Sequence, residues 1–125
     1  GVGAPELLVK LRRTQAPFTV NTPAQVAGIE ALRHQPEVEQ RRVANAESRQ
    51  HMTNELTARG FRVAPSEANF VYFEPDIDAS VLGDGLLRQG VIVRVLGEGI
   101  RVTVGTREEN QRFLDAMDAV GPDHA

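Results

Sequence analysis

The stretch that constrains this chain most runs from Pro36 to Arg59, where no glycine or further proline interrupts a series of mostly strong helix formers, and it ends at Gly60. Proline is tolerated in a first helical turn and glycine is a natural stop, so the segment reads as one long helix. Its apolar stripe is thin (Val43, Ala46 and Leu56, with Met52 to one side), and much of the remaining surface is charged. Most of it should therefore face solvent, as a connecting helix does. A chain of 125 residues with 41% apolar content is the size of one ordinary domain, able to bury a real core.

After Gly60 the periodicity changes. Phe61–Val63 and Ala68–Phe73 read as strands, the second partly as the continuous apolar run of a buried strand. Asp78 to Gln89 reads as a helix with Val81, Leu82 and Leu86 inward and Gly90 as terminator. Val91–Leu96 and Ile100–Val104 read as strands around a Gly97-Glu98-Gly99 hairpin turn. Thr106-Arg107-Glu108-Glu109 is a capping box that opens a last helix, with Phe113, Met117 and Val120 at helical spacing. The order predicts an α+β fold: a small mixed or antiparallel sheet with helices on one face, preceded by the long connecting helix.

Upstream, Pro5 and Glu6 suit a first helical turn, and a short helix over about 5–13 is expected. Ala16–Asn21 reads as extended, and Thr22-Pro23-Ala24-Gln25 as the capped start of a helix to about Arg33, with Thr22 as the cap.

A formal charge of −3, with 14 basic and 17 acidic residues scattered along the chain, supplies no basic stripe for nucleic acid. The absence of cysteine excludes disulfides, thiolate catalysis and cysteine-ligated metals. No signal peptide and no apolar run of about 18 residues is visible, so no membrane role is expected and a cytoplasmic location is the working assumption. The first residue is Gly1 rather than Met, which fits processing or a piece of something longer.

Chemistry concentrates in the two hairpin strands, each of which holds one arginine among apolar residues: Arg94 after Val91-Ile92-Val93, and Arg101 before Val102-Thr103-Val104. Such an arginine must snorkel, pair with an acid or receive an anion, and its planar fork matches a carboxylate bidentately. A four-residue loop puts both on one face and a three-residue loop puts them on opposite faces, so the sequence leaves the register open. His34, His51 and His124 have no metal-ligand spacing, Gly97 and Gly99 lack the strand-to-helix setting of a phosphate loop, and Ser66 has no local base. These read as surface histidines, turn glycines and a capping or loop serine, and no metal is expected.

Taken together, Pro65-Ser66-Glu67-Ala68-Asn69-Phe70-Val71, Gly90-Val91-Ile92-Val93-Arg94 and Ile100-Arg101-Val102-Thr103-Val104-Gly105-Thr106-Arg107-Glu108-Glu109-Asn110 resemble the C-terminal region of histidinol-phosphate aminotransferases. Gly1–Leu7 and Pro17–Asn21 resemble the stretch that comes after the cofactor lysine in that family of fold type I enzymes, so the likeness covers nearly the whole chain. It implies a pyridoxal-phosphate-dependent transfer of an amino group to a 2-oxo acid, with Arg101 receiving the substrate carboxylate and Arg94 near the substrate side chain or phosphate. The resemblance also implies an inter-domain segment of the parent enzyme over 1–35 and a C-terminal small domain over 36–125, and the partners it implies are that substrate, a large cofactor-binding domain and a second copy in a homodimer. The family's Schiff-base lysine lies upstream of Gly1; Lys10 is the only lysine here and reads as a surface residue, so no cofactor is expected to bind covalently and the chain alone is expected to be inactive. The short turn at Gly97-Glu98-Gly99 inclines the reading toward aromatic substrates. The alternatives are an isolated small domain that binds a ligand or partner without catalysis, and a structural piece whose apolar face drives association.

Overall fold

The computed structural model describes residues 3–14 and 20–121, in the order α1 (Pro5–Thr14), α2 (Thr22–Ala31), α3 (Gln35–Ala58), β1 (Arg62–Ala64), β2 (Phe70–Glu74), α4 (Ala79–Arg88), β3 (Arg94–Leu96), β4 (Gly99–Thr103) and α5 (Arg107–Val120). The chain divides into two compact units, Gly1–Val38 and Glu39–Ala125.

In the first unit, α1 and α2 bury none of their residues. The cap of α2 is Asn21 rather than the expected Thr22: the Asn21 carboxamide oxygen accepts from the Ala24 N–H at 2.9 Å. Asparagine competes at least equally with threonine for that position, and Pro23 is still close enough to the helix start to lose no needed donor. Gln25 folds back to donate to the Val20 carbonyl at 2.9 Å. The extended segment expected over 16–21 lies largely outside the described residues.

The second unit is an α+β layer pair. Its four strands are all antiparallel in the order β1-β2-β4-β3. Strand alternation turns Val71, Phe73, Ile100 and Val102 to one side, where α3 contributes Met52 and Leu56, α4 contributes Ala79, Leu82 and Leu86, and α5 contributes Phe113, Leu114, Met117 and Val120. Phe73 sits at the centre, its ring 5.2 Å from Phe61 and 6.3 Å, edge-on, from Phe113. Fully burying a side chain of this size stabilises by about 1.5–3 kcal/mol, and truncating Leu56 or Leu86 to alanine would cost about 2–5 kcal/mol.

The two helix-to-strand corners are built alike. Gly60 (φ +90°) follows α3 and Gly90 (φ +76°) follows α4. The next residue bonds back across the turn in each case, Phe61 N–H to the Leu56 carbonyl at 3.1 Å and Val91 N–H to the Leu86 carbonyl at 2.9 Å. Both are glycine-terminated Schellman closures, in which the residue after the glycine also packs on the core.

Three local expectations change. Val81 is 44% exposed, because the inward positions of α4 are Ala79, Leu82 and Leu86, spaced i, i+3, i+7 from the first helical residue Ala79. The strand expected from Val91 starts at Arg94: the backbone of Val91 is engaged in leaving α4, although Val91 and Val93 still face the core while Ile92 is 85% exposed. The strand expected from Ala68 starts at Phe70, because residues 66–69 form a loop held by side chains.

Candidate functional site

The helices cover one face of the sheet, and the other carries both hairpin arginines. The hairpin turn has two residues, Gly97-Glu98, between the paired Leu96 and Gly99, so Arg94 lies directly opposite Arg101. Directly paired residues share a face, which closes the register question. Tyr72 is the next partner of Arg101, and Ala64 is the next partner of Tyr72. One transverse row therefore reads Ala64, Tyr72, Arg101, Arg94.

Within this row Arg101 is half-buried. Its Nε is buried without a hydrogen-bond partner among the described residues, and its guanidinium carbon lies over the Phe70 ring, 4.9 Å from the centroid. Phe70 is the diagonal neighbour, paired with Thr103 two residues beyond Arg101. Five other arginines reach carboxylates: Arg33 to Glu30, Arg42 to Glu39, Arg49 to Glu67, Arg59 to Glu55 and Asp118, and Arg62 to Glu74. Arg94 and Arg101 form no such pair among the described residues. A half-buried guanidinium with an idle buried donor leaves the desolvation of that donor uncompensated among the described residues, and its planar fork has the shape that matches a carboxylate.

The surroundings fix this row from three sides. Tyr72 lies across Gly99 and donates to the Leu96 carbonyl at 3.3 Å. A β-carbon at Gly99 would fall 2.3 Å from the Tyr72 ring, so only glycine lets the ring lie there. Before β2, Arg49 donates to the Ala68 carbonyl and the Glu67 carboxylate, both at 3.0 Å, Asn45 donates to the same carbonyl at 3.3 Å, and Ser66 Oγ donates to the Phe70 carbonyl at 2.7 Å. After β4, Asn110, only 3% exposed, holds Gly105 twice: its carboxamide oxygen accepts from the Gly105 N–H at 2.9 Å and its nitrogen donates to the Gly105 carbonyl at 3.1 Å. The capping box of α5 forms as expected between Thr106 and Glu109.

The remaining candidates fall away from this face. Ser66 is a loop clamp. His34, in the turn between α2 and α3, contacts Glu30 of α2 and Glu37 of α3, His51 is exposed and His124 lies outside the described residues. No group of three metal-ligating side chains occurs among the described residues. Lys10 is exposed on α1. A hollow of about 360 Å³ lies between Gly90–Ile92 and Phe113 but does not include either strand arginine. Sequence reading missed Arg49, Asn45 and the Phe70–Arg101 contact, because these join residues far apart in the chain. Among the described residues, no helix is long and apolar enough to cross a membrane.

Comparison with known proteins identifies the family and the fold. The family model described as aminotransferase class I and II matches residues 1–117. The chain is 40% identical over 124 residues to a histidinol-phosphate aminotransferase of Symbiobacterium thermophilum, covering 95% of this chain and 34% of that protein. It is 39% identical over 114 residues to an aromatic amino acid aminotransferase of Nocardia farcinica, covering 90% of this chain and 32% of that one. Among solved structures, the histidinol-phosphate aminotransferase of Clostridium acetobutylicum superposes with a TM-score of 0.77 at 26% identity, over 92% of this chain and 37% of that one. The chain thus spans about a third of the length of the curated relatives it matches.

Proposed function

Because this chain belongs to the family of class I and II aminotransferases, we propose that it forms the C-terminal part of a longer cytoplasmic enzyme that moves an amino group between an aromatic amino acid or histidinol phosphate and a 2-oxo acid. On this reading residues 1–35 connect to a large cofactor-binding domain, residues 36–125 are the small domain, and two copies make the active dimer. Arg101 receives the substrate carboxylate and Arg94 reaches the side chain or phosphate.

The observation that carries the reading is the idle, buried Nε of Arg101 on a sheet face that presents two arginines and no acid paired with either among the described residues. The fork gives two parallel hydrogen bonds to a carboxylate, and this orients the substrate rather than merely attracting it. The family is pyridoxal-phosphate-dependent, but the residues described here do not fit a covalent seat for that group: the sequence has one lysine, Lys10, and it is exposed on α1. On this reading the seat belongs to the rest of the enzyme, and the 125-residue chain alone has no aminotransferase activity.

The test is kinetic, in the enzyme assembled from this chain and its cofactor-binding part. Lysine at 101 keeps the charge but loses the fork, so Arg101→Lys should lower kcat/KM for phenylalanine and for the 2-oxo acid by about 100-fold. Arg94→Lys should be mild for phenylalanine and costly for histidinol phosphate. Equally mild losses for both variants on the carboxylate substrates would refute the assignment of Arg101.

A further inference from the structure

We propose that Phe70 is a positioning residue for Arg101: its ring sets the direction in which the guanidinium lies and so aims the fork. The inference rests on the reading of Arg101 given above. Strand alternation sends Val71 and Phe73 of β2 into the core, which leaves Phe70 half-buried on the face that no helix of this unit covers. Among the described residues, an aromatic ring stranded there has one cationic companion, the Arg101 guanidinium 4.9 Å from its centroid. The alternative direction for Arg101, toward the hairpin turn, is occupied by Tyr72, which lies over Gly99 and is tied to the Leu96 carbonyl. The ring itself is held at its backbone, because the Phe70 carbonyl accepts from Ser66 Oγ and the Asn69 carbonyl accepts from the Val104 N–H at 2.9 Å. A guanidinium over an aromatic face gains attraction without losing any hydrogen-bond donor, so the donors stay free for an anion.

Two measurements test this. In the 15N-labelled 125-residue chain, the Arg101 Nε–Hε signal, assigned by its loss in Arg101→Lys, should be shifted by the ring current of Phe70. Phe70→Tyr should keep the shift and Phe70→Leu should abolish it. In the assembled enzyme, Phe70→Leu should lower kcat/KM for phenylalanine about tenfold. Phe70→Tyr should stay within about twofold of the parent, and in the Arg101→Lys background Phe70→Leu should cost less than about twofold.

A loss of the same size in both backgrounds would mean that the ring acts on the fold rather than through Arg101, and the proposal would be overturned. No loss with Phe70→Leu, where Arg101→Lys is severe, overturns it as well and leaves the carboxylate assignment standing. If Arg101→Lys itself is mild, the underlying reading has failed instead. Should Phe70→Leu not fold, the unmodified chain decides: an Arg101 Nε–Hε signal without a ring-current shift overturns the contact.

Discussion

Arg94 and Arg101 are direct cross-strand partners, two like charges side by side on one sheet face with no carboxylate paired to either among the described residues. Like charges in that position cost stability, by about 0.2–1 kcal/mol. On the proposed reading the two arginines receive anions, and this local cost in stability accompanies that role. Arg94→Gln should therefore raise the urea midpoint of the 125-residue chain at low salt, and the gain should shrink as salt screens the repulsion. A lower midpoint would show that Arg94 has a stabilising partner in solution.

Gly99 and Tyr72 make a second specific demand. The ring fills the place of a β-carbon at 99, so Gly99→Ala forces Tyr72 away and should destabilise by about 1–3 kcal/mol. Removing the ring removes the conflict: in a Tyr72→Val background the same alanine should cost less than about 0.5 kcal/mol. Chemical denaturation of the four proteins in the cycle checks it. Additive costs would mean that backbone conformation, and not the ring, demands glycine.

How much of the fold is legible in the sequence depends on the range of each signal. Asp78, Thr106, Gly60 and Gly90 mark helix ends through bonds made within a few residues, so those elements can be read directly. Asn21 and Thr22 are neighbouring caps of similar strength, and nothing local decides between them, which is why the expected cap is off by one residue. Arg101 stands out because a lone guanidinium among β-branched residues has few compatible explanations. Its surroundings are not legible. Phe70 lies over it by virtue of a register between β2 and β4, and Arg49 reaches Ala68 from 19 residues away. The Gly97-Glu98-Gly99 string is compatible with more than one loop length, so the shared face of the two arginines needs the paired strands themselves.

The two units should differ in local stability. Helices α1 and α2 are ten residues each and bury nothing, and helices that short are marginal on local bonds alone. Their amides should exchange with solvent within the dead time of a manual experiment, while those of β2, β4 and the C-terminal half of α3 stay protected for orders of magnitude longer. Protection in α2 equal to that in β4 would mean that the first unit has a partner in solution.

The ion pair between Arg59 and Asp118 joins the end of α3 to α5 and gives stability a specific acid limit. Arg59 donates through Nε and Nη2 to the two Asp118 oxygens at 2.8 and 2.9 Å, and also reaches the Glu55 carboxylate at 2.7 Å. These hydrogen bonds, more than the bare charge, hold the Asp118 carboxyl below the usual carboxylate range and push the Arg59 guanidinium up. A carboxyl whose folded value is depressed binds its proton more readily in the unfolded chain. Its contribution is therefore complete above the unfolded value of about 3.9 and is lost as pH falls through the lower folded value. Asp118 is 57% exposed at its side chain, so solvent screens the pair and its worth is about 0.5–1 kcal/mol. Asp118→Asn should lower stability by that amount at pH 7 and at pH 5 alike, and the gap should close between about pH 4 and pH 2. Urea midpoints of the two proteins across that range measure it. A gap that persists unchanged at pH 2 would mean that Asp118 stabilises by packing or by a neutral hydrogen bond, and that its charge contributes nothing.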